Sequence, residues 1–110
     1  MWTYDKALAL IRAYVEISYN GTAIVLEEST IDRPYGWVFF YQSRAYIETK
    51  NPLHQLVGNA PLVFNRVFGE YRILRTAHPT EQYLREYEST LPDAQLKMKA
   101  QLRHRNSSVG

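Results

Sequence analysis

Gly36-Trp37-Val38-Phe39-Phe40-Tyr41-Gln42-Ser43 is the stretch that decides how this 110-residue chain folds. Aromatic side chains dominate it, and apolar residues stand at both odd and even positions. Such a strand is covered on both faces, or covered on one with an aromatic surface on the other. If Trp37, Phe39 and Tyr41 face a first helix, Val38 and Phe40 point the opposite way. They then need cover of their own, from the C-terminal helices or from another chain. Beyond an irregularity at Ser43-Arg44, the strand can continue through Ala45 to Glu48.

Working back from that strand, Arg33-Pro34-Tyr35-Gly36 reads as a turn or short loop. Before it, Ala23 to Leu26 reads as a strand whose polar far end is Glu27-Glu28-Ser29-Thr30. Residues 3–19 predict a helix. Thr3 can cap it, Asp5 suits the positive end of its dipole, and Asn20-Gly21 closes it. Leu8, Ile11, Val15 and Ser18 form one stripe, which Ala7, Leu10, Tyr14 and Ile17 widen.

Working forward, Thr49 to Pro52 is loop, and Leu53 to Val57 is a helical turn or connector. Gly58-Asn59-Ala60-Pro61 is a change of direction. Leu62–Asn65 and Glu70–Leu74 pair as a hairpin around Arg66-Val67-Phe68-Gly69. Pro79 at the first helical position, capped by His78, opens a short helix with Tyr83, Leu84 and Tyr87 on one face. Asp93 to Arg103 reads as a weakly tethered helix, and Asn106 to Gly110 as a frayed end. The order helix, strand, strand, hairpin, helix predicts an α+β fold. It comprises an antiparallel sheet of about four strands, an N-terminal helix and one or two C-terminal helices, with the helices on one face. Residues 1–90 make one domain and 91–110 a basic, partly helical tail.

Composition narrows function mainly by exclusion. Without cysteine there is no disulfide framework, thiolate zinc site or cysteine nucleophile, which fits a reducing cytoplasm. No secretory signal is visible at the N-terminus, and the apolar run Trp37–Tyr41 is too short to cross a bilayer. Residues 1–90 hold nine Lys/Arg against ten Asp/Glu, so the pI of about 8.9 comes from the tail, with Lys97, Lys99, Arg103 and Arg105 against Asp93. A balanced body argues against a nucleic-acid footprint.

No catalytic constellation emerges. There is no phosphate-cradling glycine loop and no HExxH. His54, His78 and His104 lie far apart without partner motifs, and no serine has nucleophile-elbow context. Glu27 and Glu28, as strand neighbours, would point to opposite faces and could not converge on one substrate. No catalytic residue, metal or cofactor is therefore expected.

Three segments in order resemble the bacterial immunity protein 35 family. They are Tyr35-Gly36-Trp37-Val38-Phe39-Phe40-Tyr41-Gln42-Ser43, then Gly58-Asn59-Ala60-Pro61-Leu62-Val63, then Gly69-Glu70 followed by Thr76, Pro79 and Tyr83-Leu84-x-x-Tyr87. The opening Thr3-Tyr4-Asp5 with Ala7 is also similar, and the resemblance spans residues 3–90. Val67-Phe68 departs from the polar residue and Thr usual before that glycine, and Arg75 from a small residue. The resemblance implies an immunity protein of a bacterial polymorphic toxin system, which binds and neutralises a cognate toxin domain by stoichiometric occlusion. The alternative it carries is a small chaperone-like protein binding unfolded clients; an enzyme is the least supported class.

Occlusion needs nanomolar affinity and an interface of about 800 Å² per partner with a few aromatic or Arg anchors. The candidate partner-binding residues are Val67 and Phe68 at the hairpin tip, Tyr35 before the central strand, and Glu27, Glu28 and Glu70 for steering a basic toxin. A sheet edge or aromatic face left uncovered would favour a homodimer.

Overall fold

A computed structural model describes residues 1–100. The elements in chain order are α1 (Tyr4–Ser18), β1 (Ala23–Val25), β2 (Ile31–Arg33), β3 (Gly36–Phe39), β4 (Tyr41–Ser43), α2 (Arg44–Thr49), β5 (Leu62–Asn65), β6 (Glu70–Ile73), α3 (Thr80–Glu88) and the single-turn α4 (Asp93–Leu96). Four strands form an antiparallel sheet in the order β2-β3-β5-β6, and β1 pairs with β4 in a separate two-stranded sheet. The α+β class expected from the sequence is what the chain adopts.

The decisive stretch is not one strand. It breaks at Phe40, so that β3 belongs to the large sheet and β4 to the small one. The break lets the chain leave the partners β2 and β5 and pair Tyr41 with Val25 instead. Nor does Ala45–Glu48 continue it. The Ser43 hydroxyl accepts the Tyr46 N–H at 3.2 Å, capping α2, which closes on Lys50 at φ 58°.

Glu27–Ser29 is a 3₁₀ turn rather than a strand end, and an unexpected strand, β2, follows it. Arg33 faces Gly36 across the turn formed by Pro34 and Tyr35, so β2 and β3 make a tight hairpin.

The pairing of β3 with β5 places Trp37 opposite Phe64 and Phe39 opposite Leu62, with Val38 opposite Val63. Trp37, Phe39, Leu62 and Phe64 pack on one side with Tyr4, Ala7, Leu8, Ile11 and Val15 of α1. Val38 and Val63 pack on the other side with Tyr35, Leu74, Tyr83, Leu84 and Tyr87. Helices therefore cover both faces of the sheet, not one. Single-face cover would have left Val38 and Val63 in water.

Thr3 caps α1 as expected, accepting the Lys6 N–H at 3.3 Å. The widened stripe is only half used, since Ile17 is 80% exposed and Ser18 is also outside the core. Pro79 is the capping residue of α3 rather than its first helical residue. His78 lies outside that helix, exposed, with its ring 5.9 Å from Tyr83. Arg33 ties the β2–β3 hairpin to α3 through both Glu81 oxygens, at 2.8 and 3.0 Å, and through Glu88 at 3.4 Å.

Of the third helix read over Asp93–Arg103, only Asp93–Leu96 is helical; residues 97–100 are not, and 101–103, like the segment 106–110 read as a frayed end, lie outside the described residues. The segment read as weakly tethered is docked, with Gln95 buried and Leu91 and Leu96 against the α3 side of the core. Among the described residues, no helix is long and apolar enough to cross a membrane.

Gly36, at φ 155°, passes so close to β5 that a Cβ would overlap the Phe64 carbonyl oxygen. Gly36→Ala is expected to destabilise the fold by at least about 3 kcal/mol, since backbone on a central pair cannot yield. Urea unfolding of the variant beside wild type measures it.

Candidate partner-binding surface

The tip of the β5–β6 hairpin is built from inside outward. Asn65, fully buried at the end of β5, uses its whole side chain. Its Nδ2 donates to Gln95 Oε1 at 2.8 Å and to the Tyr87 hydroxyl at 3.2 Å. Its Oδ1 accepts the backbone N–H groups of Val67 and Phe68, both at 2.9 Å. Two donors and two acceptor sites are thus all satisfied, as a buried amide requires. The Gly69 N–H closes the loop on the Asn65 carbonyl at 2.9 Å, with Gly69 at φ 70°.

Neighbouring residues brace the same loop. Arg66 is buried, and its guanidinium donates to the carbonyls of Pro34 at 3.0 Å and Lys99 at 2.7 Å. Trp2 donates its backbone N–H to the Arg66 carbonyl at 2.9 Å and sets its ring edge-on to Phe64. The indole lies so close to Gly69 that a Cβ there would strike it. On this scaffold Val67 and Phe68 remain 39% and 53% exposed. The tip does not fold back onto the sheet; it is held outward on a fixed backbone.

A second apolar area runs beside it. On the α1 side of the sheet, Tyr71 and Ile73 of β6 stand opposite Phe64 and Leu62, yet α1 does not cover them. Leu10, Tyr14, Ile17, Ser18 and Tyr71 line an open groove there, with the rings of Tyr14 and Tyr71 5.2 Å apart. Lys6, one turn before Leu10, joins Met1, Trp2 and Val67 at the tip, so groove and tip share one helix face.

Residues 5–89 match the family model described as Immunity protein 35. The chain belongs to the immunity protein 35 family. It is also 34% identical over 88 residues to the uncharacterized protein YrhB of Escherichia coli (strain K12), a match covering 80% of this chain and 90% of that one. No solved structure matches it significantly.

Within this family fold the sequence-derived candidates separate. Val67, Phe68 and Glu70 come together at the hairpin tip, all exposed. Tyr35 does not join them. It is fully buried, its ring 5.6 Å from Tyr87 and its hydroxyl donating to Glu88 at 2.8 Å, so it cannot be a contact anchor. Tyr35 does lie in the turn before the central strand, as read; it fails as an exposed anchor because this two-residue turn points its second side chain under α3. Glu27 and Glu28 precede β2, the edge strand opposite β6, and Glu27 pairs with Arg12.

The groove was missed from sequence because Leu10, Tyr14 and Ile17 continue the packed stripe of α1. Its legible signal was the alternation Glu70-Tyr71-Arg72-Ile73 in a strand with no later strand to cover it. Among the described residues no group of three or more His, Asp or Glu side chains is placed to hold a metal ion.

Removing the Asn65 side chain leaves two tip amides and the Gln95 carbonyl without their partner. Asn65→Ala is expected to cost about 2–4 kcal/mol and to speed amide exchange at Val67 and Phe68 before global unfolding. Hydrogen exchange resolved by residue checks both.

Burial, and then the bond to Glu88, pushes the Tyr35 hydroxyl above its ordinary range; burial and the Tyr19 hydroxyl do the same to Tyr41. Unfolded tyrosines ionise near pH 10, roughly, while these stay protonated in the native state. The unfolded chain then binds fewer protons, so stability is full below about pH 10 and falls as pH rises beyond it. Urea midpoints across that interval should decline, and those of Tyr35→Phe should decline less.

Proposed function

We propose that this protein binds and neutralises a cognate bacterial toxin domain by stoichiometric occlusion, in the cytoplasm of the producing cell, without catalysis of its own. The observation that carries this reading is the preorganised hairpin tip, where Val67 and Phe68 stand out on a loop whose amides are locked by a buried side chain. A rigid apolar anchor loses little conformational entropy on binding, which is how a small surface reaches high affinity. Membership of the immunity protein 35 family supports the class of partner.

Phe68 is the anchor that seats in the toxin domain, with Val67 beside it. Glu70 at the tip, and Glu27 and Glu28 at the other edge, would steer a basic toxin by raising the association rate rather than by holding the complex. One toxin domain occupies one chain, so binding saturates at a fixed ratio; a protein that holds unfolded clients would not show that saturation.

The test is co-expression with the toxin encoded beside it, together with kinetics on the purified pair. Phe68→Ala is expected to weaken binding by about 2 kcal/mol or more, through faster dissociation, and to lose growth protection. Unchanged dissociation and unchanged protection would remove the tip from the interface.

A further inference from the structure

We propose that two copies of this chain pair through their β6 strands, joining two four-stranded sheets into one continuous sheet about a two-fold axis at Tyr71. The inference is independent of the toxin reading. It begins with the free edge. β6 is the last strand of its sheet, pairs with β5 over Glu70–Ile73 without a bulge, and contains no proline. Such an edge is a template for another strand unless it is blocked.

The phase of the hydrogen bonds says which residues offer that template. Leu74 donates its N–H to the Pro61 carbonyl at 2.8 Å. With the register of β5 and β6, this turns the backbone groups of Glu70, Arg72 and Leu74 toward β5. Tyr71 and Ile73 therefore turn theirs outward. In a symmetric antiparallel pair, facing residues must present side chains on the same face, so the axis passes through a residue.

With Tyr71 on the axis, each Tyr71 exchanges both backbone bonds with its mate, and each Ile73 N–H meets the carbonyl of Gly69 in the second copy. The intervening pair is then Glu70 opposite Arg72 of the second copy, and it occurs twice. These are non-hydrogen-bonded positions, where opposed side chains lie closest. Placing the axis at Arg72 instead would oppose two guanidinium groups.

The two faces of the seam fit the same pairing. On the α3 side lie the Glu–Arg pairs. On the α1 side the two Tyr71 rings meet, bordered by the groove of Leu10, Tyr14 and Ile17. Tyr71 and Ile73, 37% and 55% exposed in the single chain, become covered. The opposite edge strand, β2, carries exposed Asp32 and ends in Arg33, which is engaged by α3.

Sedimentation equilibrium on the full chain, from about 1 μM to 1 mM, tests this. Wild type should dimerise. Glu70→Arg replaces two attractive pairs by two repulsive ones and should weaken the dimer about tenfold or more, as should Arg72→Glu. The double variant E70R/R72E should restore it, which no simple loss of folding can imitate; circular dichroism confirms that each variant is folded. A wild type that stays monomeric throughout, a dimer indifferent to Glu70→Arg, or a double variant no better than the singles would each overturn the proposal. An edge that instead captures a strand of a toxin domain would appear as the first of these.

Discussion

The pairing of β3 with β5 is the constraint on which the remainder of the fold rests. Both strands are buried on both faces, so one registration decides two hydrophobic clusters at once. A slip of one residue would send Trp37 and Phe39 toward α3 and Val38 toward α1, exchanging large rings for a small side chain on each side. The close passage of Gly36 over the Phe64 carbonyl pins the register, because no other residue permits that approach.

From that pair the structure extends by polar ties at the ends of the strands. At one end of β3, the β2–β3 turn is tied to α3 through Arg33, Tyr35, Glu81 and Glu88. At the end of β5, Asn65 ties the hairpin to Tyr87 of α3 and to Gln95 of α4. The buried amide is costly to leave unpaired, so it specifies one loop conformation and not merely a compact one. The outward stance of Val67 and Phe68 is thus a consequence of interior chemistry several residues away.

The two apolar surfaces then have different origins. The tip is exposed because its backbone is locked outward. The strip of Tyr71 and Ile73 is exposed because β6 is an edge and α1 lies over the inner strands. A locked tip suits a foreign partner, whereas an open strand edge with alternating opposite charges suits a copy of itself. Tip and seam meet at Gly69 and Glu70, so the two surfaces are contiguous along one hairpin.

What the sequence determined by itself was local. Ring-rich alternation announced β3, the Thr3 cap and Asn20-Gly21 bounded α1, and the spacing of Gly69 gave the β5–β6 hairpin, because each signal acts within a few residues of itself. Glycines, prolines and rings in the family pattern likewise announced the architecture. What only the tertiary structure decided was everything that depends on a distant partner. The break at Phe40 follows from β1 competing for the chain, the short strand β2 exists because β3 has a free side, and α2 forms where a strand was expected because Ser43 caps it. The same holds for the surface. Tyr35 and Phe68 are both aromatic residues next to turns, and nothing local distinguishes them; α3 with Glu88 draws one inside, and Asn65 with Gln95 holds the other out.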